Sequence, residues 1–316
     1  MGITKRGGGL RSGKAPAKIK KWLPLFLMML PGAAYIIINN YIPMFGLIIA
    51  FKRLDFSRGI LASDWVGLKN FEFLFSTRDA FIITRNTLLY NATFIILNTV
   101  LGILFALFIC DVTGKTMKKI YQSAVLLPFL MSMVIMGYIV FAFFSMKNGI
   151  VNKTLLPLLG KEPIFWYNEA KYWPAILTFV NTWKTVGYSC LIYIAAITGI
   201  DPAFYEAAEL DGAGKLSQIR HITLPCILPA VITLTLLGVS KIFYSDFGLF
   251  YQVPRNSGML FSTTNVIDTY VYRGLMNLGN LGMSSAAGFY QSLVGLTLVL
   301  LVNGVARRVS RENALF

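Results

Sequence analysis

The sequence has 316 residues, of which 56% are hydrophobic and 14% are charged, and its mean hydropathy is +0.63. Soluble domains carry about 25% charged residues, so this composition excludes a soluble globular protein and indicates an integral membrane protein. The formal net charge of +15 does not indicate a nucleic-acid partner, because the N-terminal basic run has no interleaved aromatic residues on which bases would stack.

Basic residues flank the apolar part of the chain at both ends. They are Lys5, Arg6, Arg11, Lys14, Lys18, Lys20 and Lys21 before the first apolar run, and Arg307, Arg308 and Arg311 after the last. Because Lys and Arg concentrate on the cytoplasmic side of membrane spans, residues 1–21 and 307–316 are predicted to be cytoplasmic tails. Gly8–Lys14 resembles a phosphate-binding P-loop, but Ala15 stands where the Mg²⁺-binding hydroxyl is needed and no strand precedes it. We therefore interpret this stretch as part of the basic tail.

Six apolar segments are each long enough to cross a bilayer, which takes about 20 helical residues. They are approximately Trp22–Phe51, Phe81–Cys110, Ile120–Ser145, Pro174–Thr198, Cys226–Tyr251 and Gly288–Ala306. The first continues well past the length of a signal-peptide core, so it is expected to remain as an uncleaved anchor. The sequence therefore predicts an all-α transmembrane domain over residues 22–306, with six spans and both termini in the cytoplasm.

The order of the spans predicts the side on which each connecting loop lies. The expected outside loops are 52–80, 147–173 and 252–287, and the first inside loop is 111–119. The second outside loop is rich in aromatic residues that suit the interface between membrane and water. These residues are Trp166, Tyr167, Tyr172 and Trp173.

The segment Asp201–Pro225 is the only sizeable polar stretch in the C-terminal half that is not predicted to be an outside loop. Asp201 suits the N-cap of a helix and Pro202 its first position. Gly212 is expected to end this helix, where a residue without Cβ can take a positive φ. A second short helix is expected to end at Pro225. The sequence thus predicts an exposed helix–turn–helix that docks into a groove on another protein.

The same segment resembles the EAA loop of binding-protein-dependent ABC importer permeases. The residues that carry the resemblance are Glu206, Ala207, Ala208, Asp211, Gly212, Ala213, Ile222, Leu224 and Pro225. Their spacing follows the family pattern, except that Ile219 stands where the family often has Phe. The resemblance implies a type I ABC importer permease fold in which this coupling loop, Asp201–Pro225, docks on an ATPase subunit. It also implies that Glu206 contacts a basic residue of the ATPase and that Gly212 forms the turn.

Other stretches resemble one group of these permeases more closely. Trp65–Phe71 is similar to a stretch of sugar importer permeases, and Asp246–Ser257 and Asn265–Phe316 resemble the LplB-type permeases of oligo- and polysaccharide importers, which are related to the MalF-like permeases. This resemblance implies a permease subunit of the bacterial inner membrane, without catalytic residues and without a bound cofactor. The implied partners are a homologous second permease subunit, an ATPase dimer that binds ATP and Mg²⁺, and an extracytoplasmic solute-binding protein.

Polar and charged residues inside apolar spans are costly, so they are candidates for function. The predicted substrate path in spans four and five consists of Asn181, Lys184, Tyr188, Ser240, Lys241, Tyr244 and Asp246. Aromatic rings beside hydroxyl and amide groups suit a carbohydrate. The alternative is a helix-packing interface in which Lys241 pairs with Asp246 or with a backbone carbonyl.

The charge balance of this path favours an anionic ligand. If Asp246 neutralises Lys241, then Lys184 leaves a spare positive charge in a medium of low dielectric constant. We therefore expect the substrate to be an acidic oligosaccharide, such as an alginate-like chain of uronic acids. A neutral sugar is the alternative, because the aromatic and hydroxyl groups require no charge on the ligand.

Three other classes of function stay open at this point. They are an ion-coupled secondary sugar carrier, a permease for a non-sugar solute, and a membrane anchor that transports nothing. The first usually needs buried acids along its path, and these are scarce. Cys110, Cys190 and Cys226 have neither metal-binding nor disulfide spacing, so no metal site is predicted. His221, the only histidine, is expected at the membrane interface.

Overall fold

The structure is a computed structural model of the chain and describes residues 15–72 and 76–309. The P-loop-like stretch Gly8–Lys14 and the closing residues 310–316 therefore lie outside the described residues. The chain divides between Ile48 and Ile49 into two compact units, each of which is described by itself. The predicted limits of the transmembrane domain, at residues 22 and 306, stay a prediction.

The first unit is an apolar helical segment. Helix α1 is Ala15–Ile36, and it is followed by a π-helical turn at Ile37–Tyr41 and a short helix at Ile42–Met44. Its large apolar side chains are mostly exposed, as at Met28 (80%), which suits contact with lipid. Trp22–Phe51 is long and apolar enough to cross a membrane, as the sequence predicts.

The second unit is helical, with two short strands near its start. Strand β1, Lys52–Arg53, pairs antiparallel with strand β2, Asp64–Trp65, and Lys52 lies opposite Trp65. The main helices are α2 (Arg78–Asp111), α3 (Lys115–Leu130), α4 (Met133–Phe144), α5 (Trp173–Thr198), α6 (Pro202–Leu210), α7 (Lys215–Gln218), α8 (Leu224–Ser240), α9 (Phe247–Gln252), α10 (Phe261–Thr264), α11 (Ile267–Met276) and α12 (Leu281–Val309). Shorter helical turns of this unit occur at Gly59–Ala62, Lys69–Phe71, Val151–Leu155, Leu156–Leu158, Trp166–Asn168, Ala170–Tyr172, Ile219–Thr223 and Gly258–Leu260, and a further turn, Phe45–Phe51, includes the division between the units.

Helix α5 lies at the centre of this unit and packs against α2, α3 and α8. The largest cluster of buried apolar side chains includes Trp173 and Leu177 of α5, Phe250 of α9 and Leu260. Trp173 is fully buried, and Tyr167 packs edge-to-face on its ring with the two centroids 5.0 Å apart. Trp173 is therefore a core residue of this unit, and the location of the four aromatic residues at the membrane interface stays a prediction.

The number of membrane-spanning segments agrees with the sequence. Four helices of the described chain are long and apolar enough to cross a membrane, and there are six such segments if each of two bent helix pairs counts as one. The bent pair α3 and α4 corresponds to the predicted third span, with an angle of 96° at the break. Pro128 lies in the last turn of α3, and the Ser132 hydroxyl accepts a hydrogen bond from the N–H of Ile135 at the start of α4. The sequence did not predict this bend.

The predicted fifth span is also not one helix. Helix α8 ends at Ser240 and α9 begins at Phe247, so the six residues Lys241–Asp246 form an irregular segment, which we call the span-five break. At the other end, Pro225 does not stop the helix as expected, and helical backbone runs from Lys215 to Ser240. Pro225 lies in the first turn of α8, where a missing N–H is tolerated. The π-helical turn before it changes the hydrogen-bond spacing.

The predicted outside loop 252–287 is largely helical. It contains α10 and α11, and α12 already begins at Leu281 rather than at Gly288. Ile267, at the start of α11, is fully buried in a cluster with Ile83 and Phe243. Polar residues on the other face of α11 made this segment resemble a loop in the sequence, whereas its buried face packs against α2 and α12.

Candidate functional site

The coupling loop begins with the local geometry that its sequence predicts. The Asp201 carboxylate accepts a hydrogen bond from the N–H of Ala203 at 2.9 Å, and Pro202 opens helix α6. No residue of α6 is buried, and Leu210 (90%) and Leu216 (80%) are among the most exposed apolar side chains of the described chain. Large apolar side chains exposed on a polar loop suit a surface that meets a partner.

Gly212 makes the turn between the two helices of this loop. Its φ is +79°, in the region that favours glycine. The N–H of Gly212 donates to the carbonyl of Glu209 at 3.0 Å, and the N–H of Ala213 donates to that of Ala208 at 2.8 Å. This pair of hydrogen bonds is the Schellman arrangement that ends a helix and satisfies its last carbonyls.

The polar groups of the coupling loop have few partners within the chain. In the part of the chain that the structure describes, no ion pair involves Glu206 or Asp211. Lys215 does form one, with Nζ 2.5 Å from the carboxylate of Asp111 on the first inside loop. The hydroxyls of Tyr205 and Thr223 lie 2.9 Å apart and join the two helices of the loop. Glu206 thus presents an unpaired carboxylate beside exposed apolar side chains.

Four of the predicted substrate-path residues lie at or beside the span-five break. Ser240 ends α8, and Lys241 and Tyr244 lie in the irregular segment, with 44% of the Tyr244 residue surface exposed. Asp246 is the N-cap of α9, where its carboxylate accepts from the N–H of Leu249 at 3.0 Å. No ion pair joins Asp246 to Lys241 among the described residues. The pairing considered for these two side chains is therefore wrong, because Asp246 caps a helix instead.

Asn91 of α2 holds the backbone of the span-five break from one side. Its side-chain amide donates to the carbonyl of Ile242 at 2.9 Å and to that of Tyr244 at 3.0 Å. A carbonyl outside a helix has no regular backbone partner, and burying it without a hydrogen bond costs free energy. Asn91 therefore stabilises an irregular backbone within the apolar bundle.

Gln291 of α12 and Asp268 of α11 hold the same segment from the other side. The Gln291 amide donates to the carbonyl of Phe243 at 2.9 Å and to the Asp268 carboxylate at 3.1 Å. Asp268 also accepts from the N–H of Ser245 at 2.7 Å. Burial raises the pKa of the Asp268 carboxyl above its usual range. Sequence reasoning did not include Asn91, Gln291 or Asp268, although an amide inside an apolar span is a signal that identifies the first two.

The remaining predicted path residues lie in span four, and two of them, Lys184 and Tyr188, contact the end of α3. Lys184 donates from Nζ to the carbonyls of Phe129, at 3.0 Å, and Met131. It therefore binds the carbonyl end of α3, where a cation is favourable. The ring of Tyr188 stacks on that of Phe129 with centroids 5.2 Å apart. Asn181 is buried, and its carbonyl accepts from the Thr185 hydroxyl. These contacts favour a structural role for Lys184.

The described residues contain no group of three or more His, Cys, Asp or Glu side chains that would hold a metal ion. Cys190 is buried, and Cys110, Cys190 and Cys226 are free thiols. His221 lies on the π-helical turn of the coupling loop, where Nδ1 is 3.0 Å from the carbonyl oxygen of Ser217.

These features, namely bent membrane helices around an interrupted span and an exposed helix–turn–helix, define a membrane transport subunit. Residues 98–311, more than half of the chain, match the family described as binding-protein-dependent transport system inner membrane component. The chain therefore belongs to this family and is a multi-pass component of the inner membrane with the type I ABC importer permease fold. In such transporters the ATPase is a separate subunit, so this chain is not itself an enzyme.

Individual relatives are similar over almost the whole chain. The polygalacturonan/rhamnogalacturonan transport system permease protein YteP of Bacillus subtilis (strain 168) is 36% identical over 289 residues, which cover 92% of this chain and 89% of that protein. Protein LplB of the same organism is 31% identical, with 98% and 96% covered. The crystal structure of a bacterial ABC transporter involved in the import of the acidic polysaccharide alginate superposes with a TM-score of 0.85 at 31% identity, over 93% of this chain and 98% of that chain.

Proposed function

We propose that this chain is the permease subunit of an ATP-driven importer that takes up acidic oligo- or polysaccharides. The observation that carries the proposal is whole-chain similarity to proteins named for polygalacturonan/rhamnogalacturonan and for alginate. Both names denote acidic carbohydrates. Dependence on a binding protein, in the description of the family, argues against an ion-coupled carrier and against a non-transporting anchor.

The unneutralised charge of Lys241 supports the acidic class. Its side chain is exposed at the C-terminal end of α8. Asp246, the nearest carboxylate in the sequence on its C-terminal side, instead caps α9. An exposed cation beside the path favours a carboxylate-bearing ligand over a neutral one by direct electrostatic attraction. Lys184 contributes less to this preference than its sequence position indicates, because backbone carbonyls already surround its Nζ.

One helix provides the mechanical link between ATPase and substrate path. Helical backbone continues for 26 residues from Lys215 in the coupling loop to Ser240 at the span-five break, a length of about 39 Å at 1.5 Å per residue. When the partner ATPase subunits close on ATP and Mg²⁺, they displace the coupling loop, and this helix transmits the displacement to the break. Glu206 and the exposed apolar groups of α6 form the docking contact.

The complete transporter then contains a second, homologous permease subunit, an ATPase dimer and an extracytoplasmic solute-binding protein. Supporting this assembly, the alginate transporter has also been solved in complex with an alginate pentasaccharide-bound periplasmic protein, and this chain superposes on it with a TM-score of 0.84. The substrate path is shared with the second permease, whose residues complete it. No cofactor is needed on this chain.

Both termini and the coupling loop lie in the cytoplasm, in accord with the Lys and Arg bias of the tails. The test uses a variant without the three native cysteines. A single cysteine at position 215 is expected to react with an impermeant maleimide only in inside-out vesicles, and one at position 256 only in intact cells. Reaction at position 215 in intact cells would overturn this orientation.

Transport by the assembled complex tests the substrate class. We expect the unsubstituted complex to take up an oligogalacturonate much faster than its neutral methyl ester. Lys241→Gln is expected to reduce uptake of the acid several-fold more than uptake of the ester. Lys184→Gln is the matched comparison, because loss of a helix-capping contact is expected to reduce both equally. Equal uptake of acid and ester by the unsubstituted complex would contradict the acidic class.

A further inference from the structure

The turn Pro254–Ser257 that follows α9 has an unusual backbone. Arg255 has a φ of +54° and Asn256 a φ of +48°, and they are the only non-glycine residues with positive φ in the described part of the chain. Asparagine tolerates this region, whereas arginine rarely adopts it. Such conformations persist where the surrounding structure enforces them, and they are concentrated at ligand-binding sites. We call this segment the Arg255 turn.

Three contacts hold the Arg255 turn in place. The Arg273 guanidinium donates to the Asn256 side-chain oxygen at 2.8 Å, and the Ser257 hydroxyl donates to the carbonyl of Tyr167 at 3.1 Å. The Asn256 N–H donates to the carbonyl of Tyr251 at 3.0 Å. The turn is therefore joined to α9, to α11 and to the Trp166–Asn168 turn, and its geometry is set before any ligand arrives.

This arrangement presents the guanidinium of Arg255 to solvent. The residue is exposed, and its Cζ lies 4.2 Å from the centroid of the Phe141 ring on α4. Stacking on an aromatic face restricts a guanidinium without using its N–H donors. No carboxylate of the described residues forms an ion pair with Arg255, whereas exposed Arg58 pairs with Asp55 and Asp64. The N–H donors of Arg255 remain available for an anion.

Two cavities meet at Arg255. The larger has a volume of about 700 Å³, and its lining includes Phe144, Trp166, Asn148 and Lys147. The smaller, of about 380 Å³, lies between α4 and the end of α9. No Asp or Glu of the described chain lines either cavity. These volumes are in the range of small-molecule sites, and they combine aromatic faces, side-chain amides and cations.

The cavities also adjoin the predicted substrate path. The Arg255 turn is joined to Asp246 at the span-five break by Val253 and α9, and α9 has six residues and a length of about 9 Å. The smaller cavity is lined by Tyr251 and Gln252 of that helix. A ligand in these cavities would thus lie next to the segment whose polar side chains are candidates for the path.

We propose that these two cavities form a subsite for one acidic sugar unit, in which Arg255 binds the carboxylate of the sugar in a bidentate manner. The aromatic side chains pack on the sugar ring, and the side-chain amides bind its hydroxyls. This subsite rests on the proposed function and adds to it a residue that distinguishes acidic from neutral sugars. A guanidinium matches a carboxylate with two parallel hydrogen bonds, which a lysine cannot reproduce.

The test compares uptake of an oligogalacturonate with uptake of its methyl ester by the assembled complex in vesicles. Arg255→Gln is expected to reduce the ratio of acid to ester uptake at least about tenfold, the equivalent of one of the two charge-assisted hydrogen bonds, and Arg255→Lys is expected to restore part of it. Arg58→Gln is the control, because it removes an exposed arginine that already has carboxylate partners; the ratio is expected to stay unchanged.

A further variant separates charge from backbone conformation. Arg255→Gly removes the guanidinium but suits a φ of +54°, so we expect it to reduce the ratio as Arg255→Gln does. Equal losses of acid and ester uptake, or an unchanged ratio, would overturn the subsite and leave the proposed function standing. Uptake of neither sugar by the unsubstituted complex overturns the proposed function and the subsite with it. An effect seen only in vesicles of anionic lipid would assign Arg255 to a lipid headgroup and also overturn the subsite.

Discussion

The coupling loop and the span-five break are the two ends of one helix, yet they are stabilised by different parts of the chain. The coupling loop depends on residues within it: Asp201 caps its first helix and Gly212 makes its turn. The span-five break depends on Asn91 and Gln291, which are about 150 and 50 residues away from the carbonyls that they bind. The first is a local structure, and the second exists only in the folded bundle.

This difference follows from the surroundings of the two segments. The coupling loop is exposed, so its remaining polar groups bind water when no partner is present. At the break, three successive carbonyls have left the helical pattern, and side chains from α2 and α12 provide the donors. An irregular backbone within a membrane protein is tolerated only where protein or a water-filled cavity satisfies it. The local segment is free to dock, while the other is fixed in place.

The largest effect is expected from removing the donor at Gln291. Gln291→Leu leaves the Phe243 carbonyl and the Asp268 carboxylate without this amide. Unsatisfied buried groups cost about 1–3 kcal/mol each, so we expect a marked loss of thermal stability and of transport. The measurement is thermal unfolding of the purified complex together with uptake.

Ser292→Ala is the matched control for Gln291→Leu, because the Ser292 hydroxyl donates to the Gly288 carbonyl on its own helix and supports no other segment among the described residues. It is expected to be nearly neutral. If Gln291→Leu proves as stable and as active as Ser292→Ala, the amide does not support the break.

A smaller effect, confined to coupling, is expected at Gly212. Gly212→Pro fixes φ near −65° where the structure has +79°, and Gly212→Ala introduces strain of about 1–2 kcal/mol. Because the loop is exposed, we expect both variants to insert and assemble with reduced affinity for the ATPase. Transport and substrate-stimulated ATPase activity should then fall, most of all for proline.

Gly214→Ser provides the comparison within the same loop. Gly214 is the N-cap of α7 with a φ of −69° and open space around its Cα, so serine is allowed there. Full coupling by Gly212→Pro would show that the positive φ is unnecessary, whereas an equal loss at Gly214→Ser would indicate that any change in this loop is harmful.

The smallest effect is expected at the ion pair between Lys215 and Asp111. Both side chains are well exposed, and such pairs contribute less than about 1 kcal/mol. Asp111→Asn is therefore expected to change stability within the error of a thermal unfolding measurement and to leave transport intact. A loss comparable to that of Gln291→Leu would mean that the coupling loop also depends on distant residues, contrary to the comparison above.

Much of the architecture follows from the sequence alone. The apolar segments give the spans because about 20 such residues are needed to cross a bilayer, and the helix cap at Asp201 and the turn at Gly212 follow from the properties of single residues. The EAA resemblance also identifies the family. Its residues lie close together in the sequence, so the pattern can be recognised without knowing the fold. The roles of Glu206 and of the substrate-path residues stay predictions.

Only the tertiary structure determines the contacts between segments that are distant in the sequence. Asp246 is equally able to pair with Lys241 or to cap α9 when judged from sequence, and the fold selects the cap. In the sequence Lys184 has no evident partner, whereas in the structure its Nζ donates to a backbone carbonyl at the end of α3. Arg255, in a segment that the sequence predicts to be a loop, adjoins two cavities only because α4 and the Trp166–Asn168 turn fold against it. Span periodicity and helix caps are local properties, whereas the partner of a buried polar group depends on which helices pack together, and no single segment contains that information.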